Sequence, residues 1–229
     1  MEVYKKEIQL TEELSTRGLF QILQDVSADH CNMLGYGMDK LGREGLIWVV
    51  ARHYVKAERW PEKGEKLQIS TWPGKTKHVM FPRFFVVRDG RGEKIIEASA
   101  IWTLVNMETR KLVLPKEYHI DLDGMVTGEE CRLPGTARKI PTTESTAFVV
   151  PQAYMDTNLH MNNTRYYEMS EKCFGSRIEG RHLYEVTTDY VSEALAGEEI
   201  KLFWGEENGR IYITGENNGT VFKMNIEYR

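Results

Sequence analysis

The sequence predicts an α+β fold of two similar units, each a long helix wrapped by a strongly curved antiparallel sheet. Three observations carry this prediction. Apolar residues recur at helical spacing in two places, once in each half of the chain. Each helical segment leads into several strand-like runs with no helix between them, the order of an antiparallel rather than a doubly wound sheet. The order also repeats with a faint register match. Val50, Tyr54 and Val55 align with Val186, Tyr190 and Val191, and Gly64-Glu65-Lys66-Leu67 aligns with Gly197-Glu198-Glu199-Ile200, which reads as an internal duplication.

Residues 3–10 alternate polar and apolar and suit an opening strand. Leu19, Ile22, Leu23, Val26, His30 and Leu34 then mark the first helix, with Ser15 or Thr16 to cap its start and Gly35 its end. Segments 46–55, 67–72, 83–88 and 95–105 are rich in β-branched and aromatic residues, punctuated by Gly64, Pro73-Gly74, Asp89-Gly90 and Gly92. The chain turns polar and turn-rich from about residue 116. It is accordingly divided into a first unit at 1–120, a linker at 121–142 and a second unit at 143–229. In the second unit 148–150 is a short strand and 163–174 a helix with Tyr166, Met169, Cys173 and Phe174 on one side. Segments 184–192, 199–204, 210–214 and 220–228 are strands. Side by side, two such units would bury sheet edges that either alone would expose.

Composition limits the function classes. The 229 residues carry a net charge of -4 and 41% apolar residues, enough to bury a full core without staples. Cys31, Cys131 and Cys173 are far apart and form no CxxC pair, so neither a disulfide framework nor a zinc site is indicated, and a reducing cytoplasm is the expected location. Neither a signal peptide nor a membrane span fits the pattern. Residues 1–120 sum to +3 and 121–229 to -7, so an acidic partner is drawn to the first half. The acidic total argues against a general nucleic-acid binder.

The densest polar cluster is Asp156-Thr157-Asn158-Leu159-His160-Met161-Asn162-Asn163, just before the second helix. One reading is a solvated loop in which Asn162 or Asn163 caps that helix. The other notes that a carboxylate, a carboxamide and an imidazole spaced two apart project to one side of an extended loop, beside the free N–H groups of a helix start. That set suits a reaction that develops an oxyanion and moves a proton, such as ester or thioester hydrolysis. GxSxG, HExxH, P-loop and GxGxxG patterns are absent, and Cys173 falls in an apolar stripe, so direct attack by water is the simpler chemistry.

These residues resemble those of the acyl-acyl carrier protein thioesterases of plants and bacteria. The resemblance covers nearly the whole chain. It rests on Leu46-Ile47-Trp48-Val49-Val50-Ala51-Arg52 leading to Glu58-Arg59-Trp60-Pro61-Glu62-Lys63-Gly64-Glu65, on Thr71-Trp72 and on Ala98-Ser99-Ala100-Ile101-Trp102. In the second half it rests on Asp156-x-Asn158-x-His160-x-Asn162-Asn163 and Tyr190-Val191-Ser192-Glu193. It implies two tandem hot-dog domains that hydrolyse fatty acyl thioesters on acyl carrier protein. No cofactor is expected beyond the phosphopantetheine that the substrate carrier brings. The family's catalytic aspartate, asparagine, histidine and glutamate fall on Asp156, Asn158, His160 and Glu193. Many plant members carry a cysteine after the glutamate; here it is Ala194, which disfavours a cysteine nucleophile and leaves a carboxylate-assisted water mechanism.

On this resemblance Asn158 orients the thioester carbonyl, and His160 and Glu193 position and deprotonate water, either one serving as the base. Asp156 holds the geometry. The first half, with Thr11-Glu12-Glu13-Leu14-Ser15-Thr16 where the second has its polar cluster, would house the acyl chain, with Trp48, Met33, Leu34, Met80, Phe81 and Trp102 as lining candidates. Lys75, Lys77, Arg83, Arg88, Arg91 and Lys94 would offer a basic face to the acidic carrier. Three other readings stay open: an acyl-coenzyme A thioesterase, a dehydratase of the same fold, and a non-catalytic acyl-thioester sensor. Association into a homodimer is also left open.

Overall fold

The computed structural model describes residues 3–120, 122, 129 and 131–229. In the first half β1 (Tyr4–Gln9) precedes α1 (Thr16–Met33) and a short α2 (Met38–Arg43), followed by β2 (Leu46–Ala57), β3 (Lys66–Pro73), β4 (Phe81–Arg88) and β5 (Lys94–Asn106). The second half runs β6 (Glu144–Val149), α3 (Arg165–Phe174), β7 (Leu183–Tyr190), β8 (Glu199–Glu207), β9 (Arg210–Glu216) and β10 (Thr220–Tyr228).

The ten strands among the described residues form one antiparallel sheet in the order β1-β3-β4-β5-β2-β7-β10-β9-β8-β6. Read inward from each end, the halves have the same topology, with β1 to β5 matching β6 to β10 in turn. The segments whose sequences align, around Val50–Val55 and Val186–Val191, include the strands that join the halves. Val55 lies opposite Val186 and Arg52 opposite Asp189 in the β2–β7 ladder. Joining there covers one edge from each unit, leaving β1 and β6 as the sheet's ends.

Local signals set the helix ends. Ser15 caps α1 by accepting from the Gly18 N–H at 3.0 Å, and Gly35 follows its last turn at φ 77°, a conformation that favours glycine. The second helix starts two residues later than its pattern predicts. Asn162 Oδ1 accepts from both the N–H and the hydroxyl of Thr164, so the polar cluster ends in a capping turn before the helix begins. The unpredicted α2 is a single amphipathic turn-and-a-half whose Leu41 plugs a small cluster with Leu46, Phe81 and Leu104.

Both long helices lie on the inner face of the sheet. From α1 come Leu19, Phe20, Leu23 and Val26, and from α3 Tyr166, Tyr167, Met169 and Phe174, all packed against Val55, Phe85, Ala98, Val186, Phe222 and Met224. Phe20 and Tyr167 stack at 3.7 Å between ring centroids and 8° between planes, and both are fully buried. Truncating a ring so placed costs about 3–5 kcal/mol. On the outer face the described part of the linker runs extended across the junction. Ser99 Oγ donates to the Arg132 carbonyl, the Ala137 N–H donates to Asp189, and Asn225 exchanges two hydrogen bonds with the Arg138 backbone. Residues 121, 123–128 and 130 of that linker lie outside the described residues.

Candidate active site

The polar cluster folds back on itself. The Asp156 N–H donates to the His160 carbonyl at 2.8 Å, and Met155 bridges Met161. Asp156 Oδ1 accepts from the N–H groups of Asn158 at 2.8 Å and His160 at 3.3 Å. Leu159 takes the left-handed turn position at φ 63°. The carboxylate therefore serves as the loop's internal acceptor, and Asn158 and His160 flank the turn it holds.

A backbone bond carries this loop to a distant segment. The Met161 N–H donates to the Ala194 carbonyl at 2.8 Å, which brings His160 beside Glu193, just beyond the end of β7. His160 Nε2 lies 3.2 Å from Glu193 Oε2, with the imidazole about a quarter exposed and the carboxylate less than half. All four predicted residues thus come together. Ala194 is fully buried behind them.

Two further groups complete the site. Arg110, on the turn after β5, ion-pairs with Glu193 from the first half of the chain. Nothing in the residue pattern marks it, since its approach depends on how two turns meet across the β2–β7 junction. The Arg110 backbone has φ 58°, and Asn106 Oδ1 accepts from the N–H groups of Glu108 and Thr109 to hold that turn. Tyr190, at the end of β7, places its hydroxyl 3.3 Å from the Asn163 carbonyl, 3.1 Å from the Tyr167 hydroxyl and 3.2 Å from His53 Nδ1. Burial raises the Tyr190 phenol well above its ordinary pKa, with its tyrosine neighbours adding to the effect. Burial pushes His53 down to about 3. The start of α3 is therefore anchored by neutral groups from both halves.

Two cavities meet at this loop. The smaller, about 130 Å³, is lined by Asp156, Asn158, His160 and Glu193 together with Tyr166 and Tyr190. The larger, about 780 Å³, lies between α1 and the first-half strands and is within the size range of ligand pockets. Ile47, Trp48, Asp156, Asn158 and Asn163 line both. The polar loop thus stands where the two cavities meet. Among the described residues no three His, Cys, Asp or Glu side chains converge as a metal's ligand set, and no helix is long and apolar enough to cross a membrane.

The family models for the acyl-ACP thioesterase N-terminal domain and C-terminal domain match residues 1–120 and 138–229. The chain belongs to the acyl-ACP thioesterase family. It is 27% identical over 217 residues to acyl-(acyl-carrier-protein) hydrolase FATB2, chloroplastic, of Cuphea viscosissima, a match covering 88% of this chain and 52% of the relative. The chain spans about half the length of the first curated relatives it matches. Two solved structures share its fold nearly end to end. The acyl-ACP thioesterase of Bacteroides thetaiotaomicron has a TM-score of 0.88 at 20% identity, covering 99% of this chain and 98% of that one. The 12:0-ACP thioesterase of Umbellularia californica has a TM-score of 0.83 at 21% identity, covering 99% and 97%. The two units are hot-dog folds, as in those acyl-ACP thioesterases.

Within the acyl-ACP thioesterase framework the structure corrects several first-half expectations. Trp48, Phe81 and Trp102 do line the larger cavity. Met33 is 72% exposed and Met80 39% exposed, while Leu34 packs on the small cluster around Leu41, so these three lie outside the lining. Met33 sits at the last turn of α1, where the helical stripe has already rotated toward solvent. Arg83 does not belong to a basic surface, because it points inward from β4 and is 4% exposed. Arg88 and Lys94 are drawn to Glu129, and Lys94 also to Glu97. Lys75, Lys77 and Arg91 stay exposed.

Proposed function

We propose that this acyl-ACP thioesterase family member hydrolyses fatty acyl thioesters on acyl carrier protein and releases the free fatty acid. The observation that carries the reading is the His160–Glu193 pair, 3.2 Å apart in the smaller cavity, which meets the larger one at Asp156 and Asn158. A water held beside the contacting imidazole and carboxylate loses a proton to that pair as its oxygen attacks the thioester carbon. The carbonyl oxygen becomes an oxyanion, stabilised by the Asn158 carboxamide at about 3 kcal/mol for a good donor. Collapse breaks the carbon–sulfur bond, and the departing thiolate takes a proton back from the pair. Asp156 contributes by fixing the loop. The reading needs no cofactor, since the phosphopantetheine thiol arrives with the carrier, and exposed Lys75, Lys77 and Arg91 offer the acidic carrier its first contacts.

The test is thiol release from acyl-carrier and acyl-coenzyme A thioesters by wild type, His160→Ala and Glu193→Gln. The expected result is turnover of the carrier substrates and a loss in each variant of at least about a hundredfold in kcat with the fold intact. Faster turnover of coenzyme A substrates would reassign the donor. Enoyl product would make the protein a lyase, and binding without thiol release would make it a sensor.

A further inference from the structure

One charged cluster inside the larger cavity plays no part in the reaction proposed above. Arg83 on β4 is buried at the cavity wall. Its Nη1 donates to His30 Nδ1 at 3.1 Å and to Thr71 Oγ1 at 3.3 Å, and its Nη2 donates to Cys31 Sγ at 3.1 Å. None of these acceptors is a carboxylate, and among the described residues Arg83 enters no ion pair. Burial and the adjacent guanidinium push His30 down to about 4, so the imidazole is a neutral acceptor, and among the described residues the Cys31 sulfur is the one group that offsets the burial of the cation. A buried guanidinium without an anion is costly, and proteins ordinarily pair it.

A second donor stands beside it. Phe81 lies opposite Trp102 and Arg83 opposite Ala100 in the β4–β5 ladder, so Arg83 and Trp102 are diagonal neighbours on the inner face. Trp102 lines the same cavity, and its buried Nε1–H has no acceptor among the described residues. The surrounding wall mixes apolar Ile47, Trp48, Phe81 and Pro82 with neutral polar groups such as Gln24 and Ser27. The carboxylates that line the cavity are elsewhere: Asp39 is exposed on α2, and Asp156 is engaged with the loop N–H groups. A plain hydrocarbon chain leaves both donors as they are, whereas an oxygen on the chain takes them up in a charge-assisted bond.

We propose that the larger cavity selects acyl chains that carry an oxygen function, bound by Arg83 and Trp102, with a carboxylate held more tightly than a hydroxyl. This rests on the thioesterase reading for the thioester end and adds the class of chain. A pocket built to hydrogen-bond a substrate oxygen discriminates strongly against the analogue lacking it, because its own donors are then left unpaired.

The test uses non-hydrolysable pantetheine amides, in a chain-length series ending in methyl, hydroxyl or carboxylate, titrated by calorimetry against wild type, Arg83→Met, Arg83→Lys and Trp102→Phe. The expected result is a length at which the carboxylate probe binds wild type at least about tenfold more tightly than its methyl counterpart. Arg83→Met removes that preference, and Trp102→Phe weakens the hydroxyl probe. Arg83→Lys keeps part of the carboxylate preference, so the question stays answerable if the Met variant does not fold. Equal or tighter binding of the methyl probe at every length, or a carboxylate preference that survives in Arg83→Met, overturns the proposal. Thiol release is scored separately, so an absence of hydrolysis with the preference intact overturns only the reading of the thioester end.

Discussion

Arg110 and Glu193 join the two halves of the chain at the cleft. The Arg110 guanidinium pairs with the same carboxylate oxygen, Oε2, that stands 3.2 Å from His160 Nε2. One oxygen thus faces a cation and an imidazole, and the angle at which Glu193 meets His160 is set from the opposite half. On the proposed mechanism Arg110 is a positioning residue, acting through Glu193. Both members of the ion pair are more than 40% exposed, so the pair contributes under about 1 kcal/mol to stability.

Arg110→Gln should therefore unfold at nearly the wild-type temperature yet lose on the order of ten- to a hundredfold in kcat, because small misplacements of a reacting group are costly. KM for the acyl-carrier substrate should change little, and Arg110→Lys should recover part of the loss by restoring the charge. Steady-state kinetics beside a thermal melt checks this. A variant with wild-type kcat would show that Glu193 needs no partner.

Much of this architecture is legible in the residue pattern, for a physical reason. Helical periodicity in Leu19 to Leu34 and in Tyr166 to Phe174 is imposed by the inner face of a curved sheet, so the need to bury that face writes itself into the spacing. The faint alignment of Val50–Val55 with Val186–Val191 anticipates the duplicated topology and falls on the strands that join the halves. The polar loop is legible because a tight turn needs its Asp and Asn where they stand. What escaped the pattern depends on contacts between remote segments. Arg110 meets Glu193 only after the halves join, and Arg83 reads as a surface cation until the inward face of β4 is known. The capping turn at Asn162 postponed the start of α3 because side-chain bonding there outcompetes helix geometry.

Asp156 separates a geometric role from an electrostatic one. Its Oδ1 accepts from the Asn158 and His160 N–H groups, and asparagine offers an oxygen at the same place without the charge. If the residue acts by holding the loop, Asp156→Asn should retain kcat to within about tenfold, while Asp156→Ala, which leaves both N–H groups without their acceptor, should lose on the order of a hundredfold. Equal losses in the two variants would mean that the negative charge itself is needed.

His53 ties the same region to pH. It sits under Phe20, with ring centroids 5.1 Å apart, and its Nδ1 faces the hydroxyls of Tyr190 at 3.2 Å and Tyr167 at 3.5 Å. Burial pushes its pKa down to about 3, against an ordinary value of 6.5 that the unfolded chain recovers. The unfolded state thus binds a proton that the folded state refuses between those values. The stability held by a neutral His53 is fully present above pH 6.5 and is lost as pH falls toward 3, at a limiting slope of about 1.4 kcal/mol per pH unit. His30, pushed down to about 4 by burial and by Arg83, adds a loss of the same sign over a narrower window. His53→Phe removes one such group. Its unfolding free energy should start lower, because Tyr190 loses a hydrogen-bond partner, yet fall less steeply than wild type between pH 6.5 and pH 5, by about one proton's worth of slope. Urea titrations of both proteins across that interval decide it: parallel pH dependences would mean that His53 takes up its proton in the folded protein and that the network around Tyr190 accommodates an imidazolium.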